Sequence, residues 1–196
     1  VEEMDNDCPS RIGLKDVELH KDYAIIINNN AGLWGYIIGD SVQFVSLNPY
    51  RIVVSGRIKH FISAFGEHVI GKEIEDSMLA ACAKYNAKVV EYTVAPEVNP
   101  IDGSTPYHEW FVEFSQAPKD INIFCKELDS QLSRKNIYYQ DLIEGKILKP
   151  LVSREMKTDT FRNYMKSIGK LGGQNKVPRL SNDRKIAEAI QQYIKL

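Results

Sequence analysis

Cysteine is scarce in this 196-residue chain: three residues, Cys8, Cys82 and Cys125, far apart in sequence. The count is odd and no pair has the spacing of a metal site, so neither a disulfide framework nor a zinc module is encoded. Charge of one sign is also lacking. Lys and Arg total 25 against 26 Asp and Glu, a net charge of -1, which removes the basic footprint of a generic nucleic-acid binder. Long apolar runs are missing too. The longest, Tyr23–Ile27 and Trp34–Gly39, fall far short of the ~18–20 residues of a membrane span. There is no Asn-x-Ser/Thr acceptor, no signal-peptide pattern, no repeat and no low-complexity tract, and a reducing cytoplasm is the expected setting. The common catalytic signatures G-x-x-x-x-G-K-[ST], H-E-x-x-H and G-x-S-x-G are absent as well.

Apolar and aromatic residues are plentiful. Ten Tyr, seven Phe and two Trp within a 43% hydrophobic composition can fill a core, which excludes a disordered chain. Three β-type runs, Tyr23–Ile27, Leu33–Ile38 and Val42–Leu47, are separated by Asn28–Gly32 and by Gly39-Asp40, and read as a meander that Asn48-Pro49 ends. A fourth run, Ile52–Ser55, leads into Gly56–His60. The pattern then changes. Ile74, Met78, Cys82 and Tyr85 have helical spacing. Strands are expected over Lys88–Ala95, Tyr107–Phe114 and Ile147–Val152, the last demoted to an edge by Pro150. Helices are expected around Ile121–Leu132, around Phe161–Ile168 with Gly172-Gly173 as cap, and over Asp183–Ile194 with Ser181 or Asn182 as N-cap.

The expected fold is α+β, a small mixed sheet with flanking helices over residues 58–196, preceded by a β-meander in residues 1–57. So short a meander cannot bury both faces by itself. With the start at Val1 rather than Met, this suggests that the chain lies inside a longer product, and a fragment exposing that face is expected to self-associate.

Four histidines, His20, His60, His68 and His108, are dispersed and read as surface or packing residues. Three stretches stand out. In Gly32–Asp40 a strand is expected to end at Gly39 with Asp40 at its tip, where a carboxylate could accept two hydrogen bonds from a diol; a plain Gly-Asp turn is the alternative. In Ser55–Glu67, Arg57 and Lys59 flank a glycine exit and would share one side of extended backbone, either for phosphate or hinge duty or as the charge that protects an edge strand. In Leu171–Leu180, Lys176 stands between Gly172-Gly173 and Pro178, either as a point charge for a phosphate or as part of a linker after a helix cap.

In this order the three stretches resemble the C-terminal part of the auxin-responsive acyl acid–amido synthetases, plant enzymes with bacterial relatives in the adenylate-forming superfamily; a bacterial-type member is expected. Gly32–Asp40 resembles G-L-Y/W-R-Y-x-x-G-D, Gly56–Glu67 resembles G-R-x-K-H-x-x-x-x-F-G-E, and Gly173–Arg179 resembles G-Q-x-K-x-P-R. The likeness runs through most of residues 23–196. It implies that residues 1–57 are the last strands of a large N-terminal domain and 58–196 the C-terminal domain. It also implies an ATP- and Mg2+-dependent ligase that adenylates a carboxylic acid and passes the acyl group to an amine or amino acid, with Mg2+ bound mainly outside this chain and no activity in the fragment alone. By the same resemblance Asp40 would hold the ribose hydroxyls and Tyr36 would lie beside the nucleotide. Arg57 would approach ribose and α-phosphate, Lys59 would mark the hinge, and Lys176 would be the catalytic lysine at the α-phosphate. Gly35 and Ile37 depart from the pattern where arginines often stand, so one charged contact is absent or supplied elsewhere. The rival readings are an acyl-CoA-type adenylating ligase and a stand-alone, non-catalytic interaction module.

Overall fold

The computed structural model describes residues 8–57, 61–172 and 175–195, and of Arg57 and Phe61 the backbone alone. The chain forms two compact units, residues 1–59 and 60–196.

The first unit is an antiparallel three-stranded sheet, β1 (Asp22–Ile27), β2 (Tyr36–Leu47) and β3 (Tyr50–Arg57), in the order β1-β2-β3. The expected break at Gly39-Asp40 is not there. Gly39 takes a positive φ of 90° inside one twelve-residue strand, where the register against β1 shifts between Ala24 and Ile26, so the turn signal is absorbed as an irregularity within β2. The run expected from Leu33 begins as a strand only at Tyr36. Ahead of it, Asn29 Oδ1 accepts from the Ala31 and Leu33 N–H groups at 3.0 and 3.1 Å, and Asn28 Oδ1 from Gly35 N–H at 2.7 Å. Two asparagine side chains thus shape the loop that presents Trp34 and Tyr36. The sheet buries Val42 and Phe44 but leaves Trp34 83% and Val54 67% exposed, the open apolar surface expected of a short meander.

The second unit is α+β. A two-residue hairpin, β4 (Phe61–Ile62) with β5 (Val69–Ile70), precedes α1 (Gly71–Tyr85). There follow β6 (Lys88–Glu97), β7 (Tyr107–Gln116), α2 (Ile121–Lys135), α3 (Ile137–Glu144), β8 (Val152–Glu155), α4 (Thr160–Ser167) and α5 (Lys185–Ile190). The sheet order is β6-β7-β8, with β6–β7 antiparallel and β7–β8 parallel. The central strand β7 is buried from Tyr107 to Phe114. Its period of two sends Trp110, Val112 and Phe114 into a cluster with Ile74, Met78, Phe124, Leu128, Leu132 and Tyr139 from α1, α2 and α3. Phe111 joins Met156, Phe161, Met165, Val177, Ile186 and Ile190 in a cluster with α4 and α5.

Side-chain caps set several boundaries. Asp120 accepts from the Asn122 and Ile123 N–H groups at the start of α2, and Asn136 from that of Tyr139 at the start of α3. The third helix was not expected, and the third strand lies later than the expected Ile147–Val152. The helix expected over Asp183–Ile194 is α5 followed by a 3-10 turn, Gln191–Tyr193, and its N-cap is Arg184 rather than Ser181 or Asn182. The turn after α4 is made by Gly169 (φ 69°), with Lys170 N–H bonded to the Met165 carbonyl at 2.9 Å, rather than by Gly172-Gly173; Gly173 lies outside the described residues.

The alternation of β7 also buries Glu109 and Glu113 on the α4/α5 side. Glu113 accepts from the backbone N–H groups of Asp159 (2.8 Å) and Phe161 (3.2 Å), so a sheet carboxylate caps α4. Glu113→Gln is expected to cost about 1.5–3 kcal/mol, the worth of a hydrogen bond made to a charged acceptor. Thermal unfolding at neutral pH measures it.

Candidate nucleotide and phosphate site

The candidate residues fall in both units. In the first, Asp40 on β2 and Arg57 on β3 are directly paired in register. A bulge beside them sets that pairing: Ser41 opposes Gly56 and Val42 opposes Val54, so Ser55 is the extra residue. A side chain at Gly56 would bring its Cβ to 3.2 Å from Ser41 Oγ, and the glycine permits this close approach of β3 to β2. The Ser55 hydroxyl bonds the Asp22 carboxylate and lies 3.1 Å from Ser41 Oγ, while Gln43 Nε2 donates to Asp22 at 3.2 Å. All three strands are therefore joined by side chains within three positions of the Asp40–Arg57 pair. Tyr36 opens β2, is half exposed and pairs with Ile27 of β1. Asp40 is thus a mid-strand carboxylate, not one at a tip. Lys59 lies outside the described residues.

In the second unit Lys176 is exposed on the segment joining α4 to α5. The N-termini of both flanking helices are tied to β7 glutamates. Glu113 holds α4, and Arg184 at the N-cap of α5 reaches Glu109 (2.7 Å), Glu97 (3.0 Å) and the Pro96 carbonyl (3.1 Å). Immediately after Lys176 the chain enters the body of the unit. Val177 is buried, the Pro178 carbonyl accepts from Thr93 Oγ1 at 2.8 Å, and Leu180 bridges Val94 in parallel. Before it, Gly172 has a positive φ of 89°. One lysine therefore stands in solvent at the lip of a fixed segment, a geometry suited to delivering a point charge to an anion.

A buried polar centre lies in the same unit, and sequence spacing did not disclose it. Glu67 and His108 are both fully buried, with Glu67 Oε1 2.8 Å from His108 Nε2. The carboxylate can only accept, so Nε2–H donates. Phe65 N–H donates to Glu67 Oε2 at 2.8 Å. Burial pushes the Glu67 carboxyl up, the His108 hydrogen bond and charge pull it down, and the net position is below its ordinary 4.5. His108 packs on the Tyr139 ring (5.2 Å between centroids), and the Tyr139 hydroxyl donates to Asp129 at 2.6 Å. Burial, then the Asp129 charge, raise the Tyr139 phenol well above its usual range. This centre ties the β4–β5 loop to β7 and α3. It is a packing device rather than an exposed reaction centre.

Comparison with known proteins supplies the family. The sequence profile of the GH3 family C-terminal domain matches residues 72–185, and that of the GH3 family central domain matches residues 1–57. The chain belongs to the GH3 family. Indole-3-acetic acid-amido synthetase GH3.3 of Arabidopsis thaliana is 27% identical over 196 residues, covering 93% of this chain and 32% of the relative. The probable indole-3-acetic acid-amido synthetase GH3.2 of Oryza sativa subsp. japonica is 25% identical, covering 95% of this chain and 33% of the relative. This GH3-family chain therefore spans about a third of the length of the curated relatives it matches. Among solved structures, the GH3.15 acyl acid amido synthetase superposes with a TM-score of 0.72 at 16% identity, covering 94% of this chain and 36% of that one, a likeness of fold. The same enzyme in complex with 2,4-DB gives 0.70.

Among the described residues no group of three or more His, Cys, Asp or Glu side chains could hold a metal ion. This donor set therefore does not fit Mg2+. A carboxylate residue and an arginine opposite one another in register have the chemistry that suits a ribose and its phosphate.

Proposed function

We propose that the intact protein is an ATP-dependent acyl acid–amido synthetase. A carboxylate oxygen attacks the α-phosphorus of ATP, the bond to pyrophosphate breaks, and an acyl-adenylate forms. An amine, an amino acid in the preferred case, then attacks the acyl carbon, loses a proton and expels AMP. The names of the relatives, indole-3-acetic acid-amido and acyl acid amido synthetases, support the reaction class. One observation on the molecule supports it most directly: a chain of this family sets a carboxylate, Asp40, opposite a cation, Arg57, on adjoining strands.

In this reading Asp40 accepts hydrogen bonds from the ribose hydroxyls, with Tyr36 beside the nucleotide. Arg57 approaches ribose and α-phosphate. Lys59 marks the hinge about which the C-terminal domain turns. Lys176 comes to the α-phosphate during adenylation and withdraws for amine attack. Residues 1–57 are the closing strands of a larger N-terminal domain, which would cover the open apolar surface of β1–β3 and hold Mg2+. A cytoplasmic setting goes with this reading.

Incubation of the full-length protein with ATP, a carboxylic acid and amino acids, followed by mass spectrometry, tests the proposal. An N-acyl amino acid formed with AMP and pyrophosphate supports it. Product with coenzyme A only would favour an acyl-CoA-type ligase, and no product with either acceptor would favour a non-catalytic module. Asp40→Ala is expected to raise the KM for ATP about tenfold or more, since hydrogen bonds to a charged group contribute about 1.5–3 kcal/mol. Initial rates at varied ATP measure it.

A further inference from the structure

We propose that Arg179 is a positioning residue for Lys176. The inference rests on the adenylation reading above and adds to it a residue for which no contact with substrate is invoked. The backbone of residues 177–181 is laid along β6: Val94 N–H donates to the Arg179 carbonyl at 3.0 Å and Ser181 N–H to the Val94 carbonyl at 3.2 Å. Those bonds fix the strand direction but come from a single neighbouring strand. The Arg179 side chain ties the segment to a second element. Its Nε lies 3.1 Å from Glu91 Oε1 on β6, and its Nη1 lies 2.8 Å from Glu75 Oε1 on α1. Its guanidinium also stands 5.0 Å from the centroid of the Tyr92 ring, which stacks on Trp110 at 5.8 Å. Only a planar, forked cation can meet two carboxylates and an aromatic face together.

Lys176 lies three residues before this clamp and four after Gly172, which has a positive φ of 89°. The Asn175 side chain meets the Gly172 carbonyl only at 3.5 Å. On its C-terminal side Lys176 is held through buried Val177, the Pro178 carbonyl and the Arg179 ion pairs. A second tie steadies that side: Ser63 N–H, just past β4, donates to Asn182 Oδ1 at 2.8 Å. The lysine thus moves with the body of the unit.

The test is a double-mutant cycle in the full-length protein: wild type, Lys176→Ala, Arg179→Ala and the double variant, each assayed by acid-dependent ATP–pyrophosphate exchange. Arg179→Ala is expected to lower the exchange kcat about tenfold with the KM for the acid unchanged, because misplacing a catalytic group by about an ångström costs up to ~100-fold. In the Lys176→Ala background the same substitution should cost nothing further. Arg179→Lys, which keeps the charge but not the fork, should recover only part of the loss. Hydrogen exchange gives a readout independent of activity: the Ser181 amide should exchange faster in Arg179→Ala while β7 amides keep their protection. If Arg179→Ala does not fold, Glu75→Gln and Glu91→Gln each remove one arm of the clamp and replace it in the cycle. Wild-type exchange by Arg179→Ala beside a slow Lys176→Ala overturns the inference and leaves the functional reading standing. An equal loss in both backgrounds also overturns it, since it marks a residue of general stability. Wild-type exchange by Lys176→Ala alone removes the role of the lysine and the clamp with it.

Discussion

Lys176→Ala in the full-length protein is expected to slow acid-dependent adenylation by more than about tenfold, because one preplaced charge aimed at the developing anion is worth ~2.7–4 kcal/mol in comparable sites. Negative charge gathers on the α-phosphate and on the departing pyrophosphate as the carboxylate attacks. A lysine whose following residue is already buried can meet that charge with little reorganisation, and Val177 is buried. The substitution removes an exposed side chain from a surface segment, so the fold should be unaffected and the thermal midpoint unchanged. Aminolysis of a preformed acyl-adenylate should proceed at close to the wild-type rate, since the role proposed for the lysine is confined to the first half-reaction. Rapid-quench measurement of the two half-reactions separates these effects. Equal slowing of both would contradict the assignment.

Glu67→Ala is expected to destabilise the second unit by about 2–6 kcal/mol, since each of two buried donors left without an acceptor costs about 1–3 kcal/mol. Three losses coincide: the His108 Nε2–H and the Phe65 N–H lose their acceptor, and a cavity opens beside Tyr139. The pH dependence has a defined sign. The folded-state pKa of Glu67 lies below the ordinary 4.5, so its contribution is fully present above that value and is lost as pH falls through the depressed value. The thermal midpoint of the wild type should therefore fall steeply below about pH 4.5. Glu67→Gln, which keeps an acceptor but does not titrate, should show a shallower acid limb. Differential scanning calorimetry from about pH 7 to about pH 3 reads both effects. An acid limb in Glu67→Gln as steep as in the wild type would show that other carboxylates control it.

The parts of the fold legible in the sequence are those with long, regular patterns. The spacing of Ile74, Met78 and Cys82 marks α1, and that of Phe124, Leu128 and Leu132 marks α2, because each stripe runs through a full fifteen-residue helix. The eight residues of α3 bury only Tyr139 completely, too little to make a stripe. Gly39-Asp40 carries the local chemistry of a turn, yet β2 continues through it with a shift of register against β1. Among the candidate site residues, Asp40, Tyr36, Arg57 and Lys176 were legible as short motifs, and a resemblance to a family assigned their roles. Lys59 falls outside the described residues. What supports the site was not legible. Glu67 meets His108 across 41 positions, Glu113 reaches Asp159 across 46, and Arg179 reaches Glu91 across 88. Such pairings exist only after the sheet brings the elements together, and no local period encodes them.

The central claim is that this chain belongs to an enzyme that adenylates carboxylic acids. ATP–pyrophosphate exchange by the full-length protein across a panel of carboxylic acids tests it most directly. Exchange that depends on a particular acid and disappears in Lys176→Ala is the expected result. Absence of exchange with every acid of the panel, from a folded protein that binds ATP, would contradict it.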